Sequence, residues 1–266
     1  MRFDHPPTPW RRYIALGDSF TEGLNDPDPA RPGEFRGWAD RLAEHLAAAS
    51  PGTEVEYANL AIRGRLMRQV IDEQVPVALT AQPDLVSLVA GGNDLMRPNA
   101  DPDRLAGDLE GAVVRLRDAG ADVLMATGVD TRQTPILRRT RGRIAVFNAH
   151  VWSIAARTGS AVLDQWGAQW LLDWRLWDTD RIHLTAEGHR RTALAAAAAL
   201  GLPVEGDDWR RPLPPLPPRR FRAAVSEEAA WLRGFVAPWI GRRLRGRSSG
   251  DGRAPKRPVP LALPRP

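Results

Sequence analysis

The sequence predicts an α/β protein in which helices cover both faces of a parallel sheet, a three-layer α/β/α sandwich. Short apolar runs alternate about five times with longer segments of helical spacing, as in a series of β-α-β units. A chain of 266 residues, 43% of them apolar, can fill the core of one large domain. The expected strands are Tyr13–Leu16, Val55–Ala58, Leu85–Ala90, Val123–Ala126 and Ala161–Leu163.

Each of these runs is too short for a typical helix and stops at a glycine or a polar residue, which is typical of buried strands. The segments between them carry apolar residues three or four positions apart, the spacing of a helix with one face on a core. The expected helices are Trp38–Ala49, Leu66–Leu79, Leu105–Ala119, Ile144–Ala156 and Ala186–Leu200.

The segments that follow the expected strands are polar and specific. Sheets of this class bind ligands beyond the carboxyl ends of their strands, so any chemistry should lie there. The segments are Gly17-Asp18-Ser19, Asn59 to Gly64, Gly91-Gly92-Asn93-Asp94, Thr127 to Asp130 and, before the last helix, Asp180 to His189. A hydroxyl, glycines, a side-chain amide and an Asp/His pair therefore converge on one rim.

These motifs resemble those of the SGNH hydrolases, also called the GDSL family of esterases and lipases. Gly-Asp-Ser19-Phe20 is similar to the nucleophile block, with Phe20 where the family name has leucine. Gly64, Asn93 and the block Asp180-x-x-His183 follow in the family's order, and the resemblance covers residues 12–201. It implies a flavodoxin-like sandwich with a five-stranded parallel sheet of order 2-1-3-4-5, and no metal or organic cofactor.

The resemblance also implies a role for each of these residues. Ser19 is the nucleophile, His183 the base and Asp180 the acid that orients the imidazole. The backbone N–H groups of Ser19 and Gly64 and the side-chain amide of Asn93 form the oxyanion hole. Ester hydrolysis needs these three functions: an activated hydroxyl, a proton shuttle and donors aimed at the oxyanion.

Each of these residues taken alone also has a structural interpretation. Ser19 can belong to a helix cap, His183 to a helix start and Asp180 to a solvated loop, while Gly64 can close a turn and Asn93 can satisfy loop backbone. These interpretations do not explain why all of the motifs fall at strand ends.

Other acids and histidines are given no catalytic role. Asp18 and Asp94 are rival acids, and we expect both to order backbone. His189 lies on the last expected helix and is interpreted as structural. The remaining histidines, His5, His45 and His150, are unassigned, and no metal site is expected.

The segment Gly246-Arg-Ser248-Ser-Gly250 matches the G-x-S-x-G pattern of a nucleophile elbow. That pattern needs a strand before it and a helix after it, and this stretch lies in a basic tail. We interpret the match as accidental and do not assign Ser248 as the nucleophile.

Two segments bear on the substrate. The arginine-rich stretch from Asp130 to Arg143 is expected to pass over the rim of the site. The four tryptophans 166, 170, 174 and 177 have helix-compatible spacing, which fits either core and lid packing or an apolar wall for an acyl or aryl group.

Charge divides the chain unevenly. Residues 203–266 hold 14 Arg+Lys against 6 Asp+Glu and half of the 24 prolines, whereas the remaining residues hold 23 against 26. We therefore predict a catalytic domain over 1–202 and a basic, proline-rich extension over 203–266. The extension is expected to contain one amphipathic helix at 226–245 and to be disordered from Gly246 onward.

Three roles are open for the amphipathic helix at 226–245. It can dock on the body of the same chain, contact a partner or second copy, or contact an anionic membrane or nucleic acid. A nucleic-acid role is disfavoured because the positive charge is confined to the extension.

The chain contains no cysteine, which excludes disulfides, thiolate catalysis and cysteine-ligated metals. The first residues lack the apolar region of a secretory signal and no run is long enough to span a membrane, so we expect a cytoplasmic protein. Its predicted function is that of a serine esterase acting on small or medium O-acyl esters. The alternatives are a carbohydrate O-acetylesterase of the same family and a binding module that recruits acidic partners through its basic tail.

Overall fold

The computed structural model of the protein describes residues 10–134, 137–215, 233–234 and 248–264. One six-stranded sheet runs through it, with the order β5-β4-β3-β1-β2-β6. The strands are β1 (Arg12–Gly17), β2 (Glu56–Asn59), β3 (Leu85–Val89), β4 (Asp122–Ala126), β5 (Ala161–Leu163) and β6 (Arg257–Ala262).

The first five strands are parallel to their neighbours, and their order is the predicted 2-1-3-4-5. β1 lies at the centre between β2 and β3, with Tyr13 opposite both Tyr57 and Leu85. Because parallel strands put their carboxyl ends at one edge, the segments after β1, β2, β3 and β4 share that edge. The predicted α/β class is confirmed, but the sheet has six strands and not the predicted five.

Helices cover both faces of the sheet. Their bounds are α1 (Ser19–Glu22), α2 (Gly37–Ala49), α3 (Met67–Gln69), α4 (Val75–Thr80), α5 (Gly92–Leu95), α6 (Pro102–Asp118), α7 (Arg141–Thr158) and α8 (Ala186–Ala199). α2 and α8 pack on one face, around the buried Trp38, and α3 to α7 pack on the other, around Met67, Leu109 and Val151. Each layer therefore buries an apolar helix face on the sheet.

The helix expected over 66–79 has an interruption. Between α3 and α4 the chain makes one π-helical turn, Val70–Gln74, in which the backbone bonds skip one extra residue. Such turns are rare in proteins, and many of those that occur lie at functional sites. Here the turn lies against the end of β1, and the side chain of Gln74 bonds the backbone of Gly17.

The disorder expected from Gly246 onward is wrong for the part that is described, because residues 257–262 form the sixth strand. β6 pairs with β2 in the antiparallel direction, with Glu56 opposite Ala262 and Tyr57 opposite Leu261. The strand contains Pro258 and Pro260, two positions apart. An edge strand tolerates prolines whose missing N–H would face away from its neighbour. Of the helix predicted at 226–245, the structure describes only residues 233–234, so that helix stays a prediction.

Within the described residues, no helix is long and apolar enough to cross a membrane. The cytoplasmic location and the domain boundary at 202 stay predictions.

Candidate active site

Ser19 is held at the carboxyl end of the central strand by local backbone geometry. β1 ends at Gly17, and Asp18 caps α1 by accepting a hydrogen bond of 3.1 Å from the Phe20 N–H. Gln74 brackets Gly17 from the other side, because its side chain accepts from the Gly17 N–H at 2.8 Å and donates to the Gly17 carbonyl at 2.9 Å. Ser19 is thus the first residue of a short helix whose start is fixed on both sides.

The structure brings Ser19, His183 and Asp180 into one hydrogen-bonded chain. Nε2 of His183 lies 2.9 Å from Oγ of Ser19, and Nδ1 of the same ring lies 2.6 Å from Oδ2 of Asp180. Nδ1–H donates to the carboxylate, which leaves Nε2 as the acceptor for the serine hydroxyl. This is the geometry that a nucleophile, a base and an orienting acid require.

Asp180 is oriented by its own loop. Its Oδ1 accepts hydrogen bonds of 2.9 Å from the backbone N–H groups of Ile182 and His183, and Asn25 donates to Oδ2 at 3.2 Å. Burial acts to raise the pKa of Asp180, but the hydrogen bond and charge of His183 and the two backbone donors hold that pKa below its ordinary value. The carboxylate therefore stays ionised beside the imidazole.

Asn93 lies at the start of α5, directly after β3, and its side-chain amide points toward the nucleophile loop. Nδ2 donates to Oδ2 of Asp18 at 3.0 Å and to the carbonyl of Arg65 at 3.1 Å. Burial raises the pKa of Asp18 to about 6, although the hydrogen bonds from Phe20 and Asn93 favour its charged form. Asn93 thus links the residue before Ser19 to the loop after β2.

Gly64 lies on that loop after β2, next to the Arg65 carbonyl that Asn93 binds. Its φ is 75°, in the left-handed region that favours glycine. A Cβ added at Gly64 would also lie 2.1 Å from Oγ of Ser248, so a close approach excludes a side chain as well. Ser19 and Asn93 line the pocket described below, whereas Gly64 is not among its lining residues.

Among the described residues, the other acids and histidines considered above lie outside the hydrogen-bonded chain of Ser19, His183 and Asp180. Asp94 accepts a bond of 2.9 Å from the Met67 N–H at the start of α3, so it orders backbone as expected. His189 is buried, and its Nδ1 accepts from the Trp38 N–H at 3.2 Å. His150 bonds Asp103 on the surface at 2.8 Å. His5 lies outside the described residues.

A pocket of about 210 Å³ opens beside Ser19 and His183. Its walls are largely apolar, as is common for sites that bind small molecules. The apolar lining residues are Phe20, Val89, Ala90, Leu95, Met96, Ala126, Val129, Leu137, Ile144, Phe147, Leu171, Leu172, Trp174, Trp177 and Ile182.

The two segments expected near the substrate do reach this pocket. The stretch after β4 supplies Thr131, Gln133 and Leu137 to its lining. The four tryptophans divide between the two interpretations left open above. Trp174 and Trp177 line the pocket, whereas Trp170 is buried with Leu171, Leu176 and Leu184 and Trp166 packs against the main core.

Ser248 lies in a turn close to Gly64, and the described chain after it continues through a loop into β6. A nucleophile elbow needs a helix in that position. The interpretation of the G-x-S-x-G match as accidental agrees with this.

Three residues that were given no role from the sequence make contacts that support the candidate site. Asn25 bonds Asp180, Gln74 bonds Gly17, and Lys256 bonds the carbonyl of Glu22 at the end of α1. Only Lys256 had a signal in the sequence, because it is the single lysine among the 37 basic residues.

A family profile described as the GDSL-like Lipase/Acylhydrolase family matches residues 15–191, more than half of the chain. The chain belongs to that family. As a member of the GDSL-like family it is a hydrolase of ester bonds, and the resemblance drawn from the four motifs is confirmed.

Similar proteins differ in how much of the chain they share. The uncharacterized protein YpmR of Bacillus subtilis (strain 168) is 31% identical over 87 residues, which cover 31% of this chain and 31% of that protein. The match therefore spans about a third of that relative.

Solved structures share the fold over most of their length. Axe2, an acetylxylan esterase from Geobacillus stearothermophilus, is 21% identical, with a TM-score of 0.61 over 76% of this chain and 96% of that chain. LAE5, an alpha/beta hydrolase enzyme from the metagenome of Lake Arreo, is 23% identical, with a TM-score of 0.60 over 72% and 95%. Other structures of Axe2 carry alanine in place of a serine, an aspartate or a histidine, and each is described as a catalytic mutant.

Proposed function

We propose that this chain is a serine esterase that hydrolyses small or medium O-acyl esters through an acyl-enzyme. The hydrogen-bonded chain from Ser19 through His183 to Asp180, beside an apolar pocket, is the observation that carries this proposal. Three structures of Axe2, each described as a catalytic mutant, replace a serine, a histidine or an aspartate, and these residue types support the assignment of Ser19, His183 and Asp180.

In the first half of the reaction, Oγ of Ser19 attacks the acyl carbon while Nε2 of His183 takes the hydroxyl proton. A tetrahedral intermediate forms, with a negative charge on the former carbonyl oxygen. The bond to the leaving alcohol then breaks, and the alcohol oxygen takes the proton from Nε2. The acyl group stays on Ser19 as an ester.

In the second half, a water molecule gives one proton to Nε2 of His183 and its oxygen attacks the acyl carbon. The second tetrahedral intermediate collapses, Oγ of Ser19 takes the proton back, and the carboxylic acid leaves. Asp180 holds the ring with Nδ1–H toward its own carboxylate and stabilises the imidazolium formed in each step. Its lowered pKa keeps it ionised for this role.

The oxyanion in both intermediates would be bound by the N–H groups of Ser19 and Gly64 and by Nδ2 of Asn93. Removing one such donor typically costs about 10²–10³ in kcat. In this structure Nδ2 of Asn93 already donates to Asp18 and to the Arg65 carbonyl. The Asn93 amide therefore has to turn partly toward the oxyanion when that charge develops.

The apolar pocket favours an acyl group with several carbons over acetate, because a short acyl group would leave most of its wall unfilled. A carbohydrate O-acetylesterase is the second candidate, supported by the likeness of fold to an acetylxylan esterase. In that case the pocket would face the sugar or the aglycone and not a longer acyl chain.

A panel of p-nitrophenyl esters of increasing acyl length, run beside acetylated xylo-oligosaccharides, tests the proposal and separates the two candidates. We expect kcat/KM to be highest for a medium acyl chain and Ser19→Ala to abolish turnover of every substrate. Equal turnover by Ser19→Ala would contradict the nucleophile assignment. A preference for sugar acetates would favour the second candidate.

The third reading, a binding module with a vestigial site, makes a different prediction. Such a chain would bind acidic partners through its basic extension and would leave Ser19 unreactive in the folded protein. Turnover of any ester that depends on Ser19 would exclude it.

A further inference from the structure

The described end of the chain, residues 248–264, returns to the catalytic body. β6 adds to the edge of β2, and the backbone N–H of Leu263 donates to the carbonyl of Val55 at 2.9 Å. β2 leads directly into the loop that carries Gly64. The returning segment therefore lies beside one of the strands that present the candidate active site.

Lys256 anchors this segment in the body. Its Nζ donates to Oδ2 of Asp40 at 2.6 Å and to the carbonyls of Glu22, Phe35 and Arg36 at 2.6, 2.8 and 3.1 Å. Burial raises the pKa of Asp40 to about 6 against the influence of Lys256, and burial also lowers the pKa of Lys256. A buried charge of this kind needs its partner in place, because breaking such a pair is costly.

One of these contacts reaches the helix of the nucleophile. α1 begins at Ser19 and ends at Glu22, whose carbonyl accepts the bond from Lys256. The carboxylate of Glu22 in turn accepts from the Arg63 N–H at 2.7 Å and from Nε of Arg63 at 2.9 Å. The end of α1 thus contacts both Lys256 and Arg63, the residue before Gly64.

A turn at 248–251 closes over the same loop. Ser248 N–H donates to Oδ2 of Asp251 at 2.8 Å, and Gly250 N–H donates to Oγ of Ser248 at 3.2 Å. A Cβ added at Gly250 would lie 2.0 Å from the Arg63 carbonyl oxygen, and one added at Gly64 would lie 2.1 Å from Oγ of Ser248. The Gly250 backbone therefore lies close to the Arg63 carbonyl, and the Ser248 side chain lies close to Gly64.

We propose that the segment from Ser248 to Lys256 positions the active site, because it fixes the loop 62–65 and the end of α1 relative to each other. The proposal rests on the esterase function proposed above. The amide of Gly64 would then be held toward the oxyanion by residues 248–256. The positioning residues are Ser248, Gly250 and Lys256. They contact this loop or α1, and none of them has been given a role at the reacting atoms.

Gly250→Ala tests this in the full-length chain, because the added methyl group must push the turn away from Arg63. Val259→Ala is the matched control, since Val259 belongs to β6 and is 54% exposed. We expect Gly250→Ala to lower kcat by about tenfold or more while KM stays within about twofold, as for a group acting in the transition state. Hydrogen–deuterium exchange should become faster in peptides covering 60–66, where Glu22 protects the Arg63 amide, and the control should change neither quantity.

Lys256→Met is the second variant, expected to accelerate exchange both at 60–66 and at 19–24. If it does not fold, Gly250→Ala still decides the matter. Exchange or kcat of the wild-type level in Gly250→Ala would overturn the positioning role. A wild-type chain without esterase activity would overturn the proposed function instead, and the exchange measurement would still decide whether the segment holds the loop.

Discussion

Nδ2 of Asn93 donates a hydrogen bond of 3.0 Å to Oδ2 of Asp18, the residue immediately before Ser19. Asp18 is buried and caps the nucleophile helix, so this bond couples the candidate oxyanion amide to the position of the candidate nucleophile. The same amide also binds the Arg65 carbonyl beside Gly64. Three strand ends are therefore joined through one side chain.

Replacing Asn93 by alanine should remove one oxyanion donor. We expect kcat for the best ester of the panel to fall by about 10²–10³ with little change in KM, because the donor acts mainly in the transition state. Steady-state kinetics measure this. A kcat within about twofold of wild type would show that Asn93 serves only the loop backbone.

Asp180→Asn keeps the shape of the loop but removes the charge beside His183. The imidazole loses its orienting carboxylate, and in a comparable triad this change lowers kcat by about 10⁴. The control is Asp178→Asn, because Asp178 lies on the same loop and its carboxylate accepts from the Thr179 N–H. We expect the control to retain activity; equal losses in both variants would indicate a general disturbance of the loop.

Gln74→Ala should destabilise the fold, since it removes the side chain that pairs the buried N–H of Gly17, whereas the Gly17 carbonyl keeps a hydrogen bond of 3.3 Å from the Ile62 N–H. A buried donor left unsatisfied costs about 1–3 kcal/mol. Gln69→Ala, on the same helical run, removes one bond to the Leu66 N–H and should cost less. Urea unfolding compares the two variants. Equal losses of unfolding free energy would contradict the stabilising role of Gln74 in the π-helical turn.

His189 should make folding stability depend on pH. Burial lowers its pKa to about 4 from 6.5, and its neutral ring accepts from Trp38 and donates to Leu24. Between these values the unfolded chain binds the proton more tightly, so the stabilisation is complete above pH 6.5 and is lost as the pH falls toward 4.

The matched variant is His189→Gln, which can keep both hydrogen bonds and does not titrate. The difference in unfolding free energy, wild type minus variant, should fall by up to about 1.4 kcal/mol per pH unit on going from pH 6.5 to 4. Urea titrations at several pH values measure this difference. A constant difference would mean that folding does not lower the pKa of His189.

Much of the fold could be predicted from the sequence because each parallel strand is a short apolar run that stops at a glycine or polar residue. The segments that follow these strand ends contain Ser19, Gly64 and Asn93, so the same pattern indicated where the candidate site lies. β6 could not be found in this way, because Pro258 and Pro260 argue against a strand unless its outer edge is known to be unpaired.

The contacts that support the site were harder to predict because they join residues far apart in the chain. Gln74 meets Gly17 across 57 positions and Lys256 meets Glu22 across 234. No local sequence pattern predicts either contact. Motif spacing indicates which residues share a rim, whereas only the packed structure shows which side chains hold them there.

The central claim, that Ser19 is an activated nucleophile, is tested most directly by a fluorophosphonate probe on the folded protein. Intact mass and peptide mapping should find one adduct, on Ser19, that is absent after denaturation of the protein and absent in Ser19→Ala. An unlabelled Ser19, or an adduct on Ser248 in its place, would contradict the account.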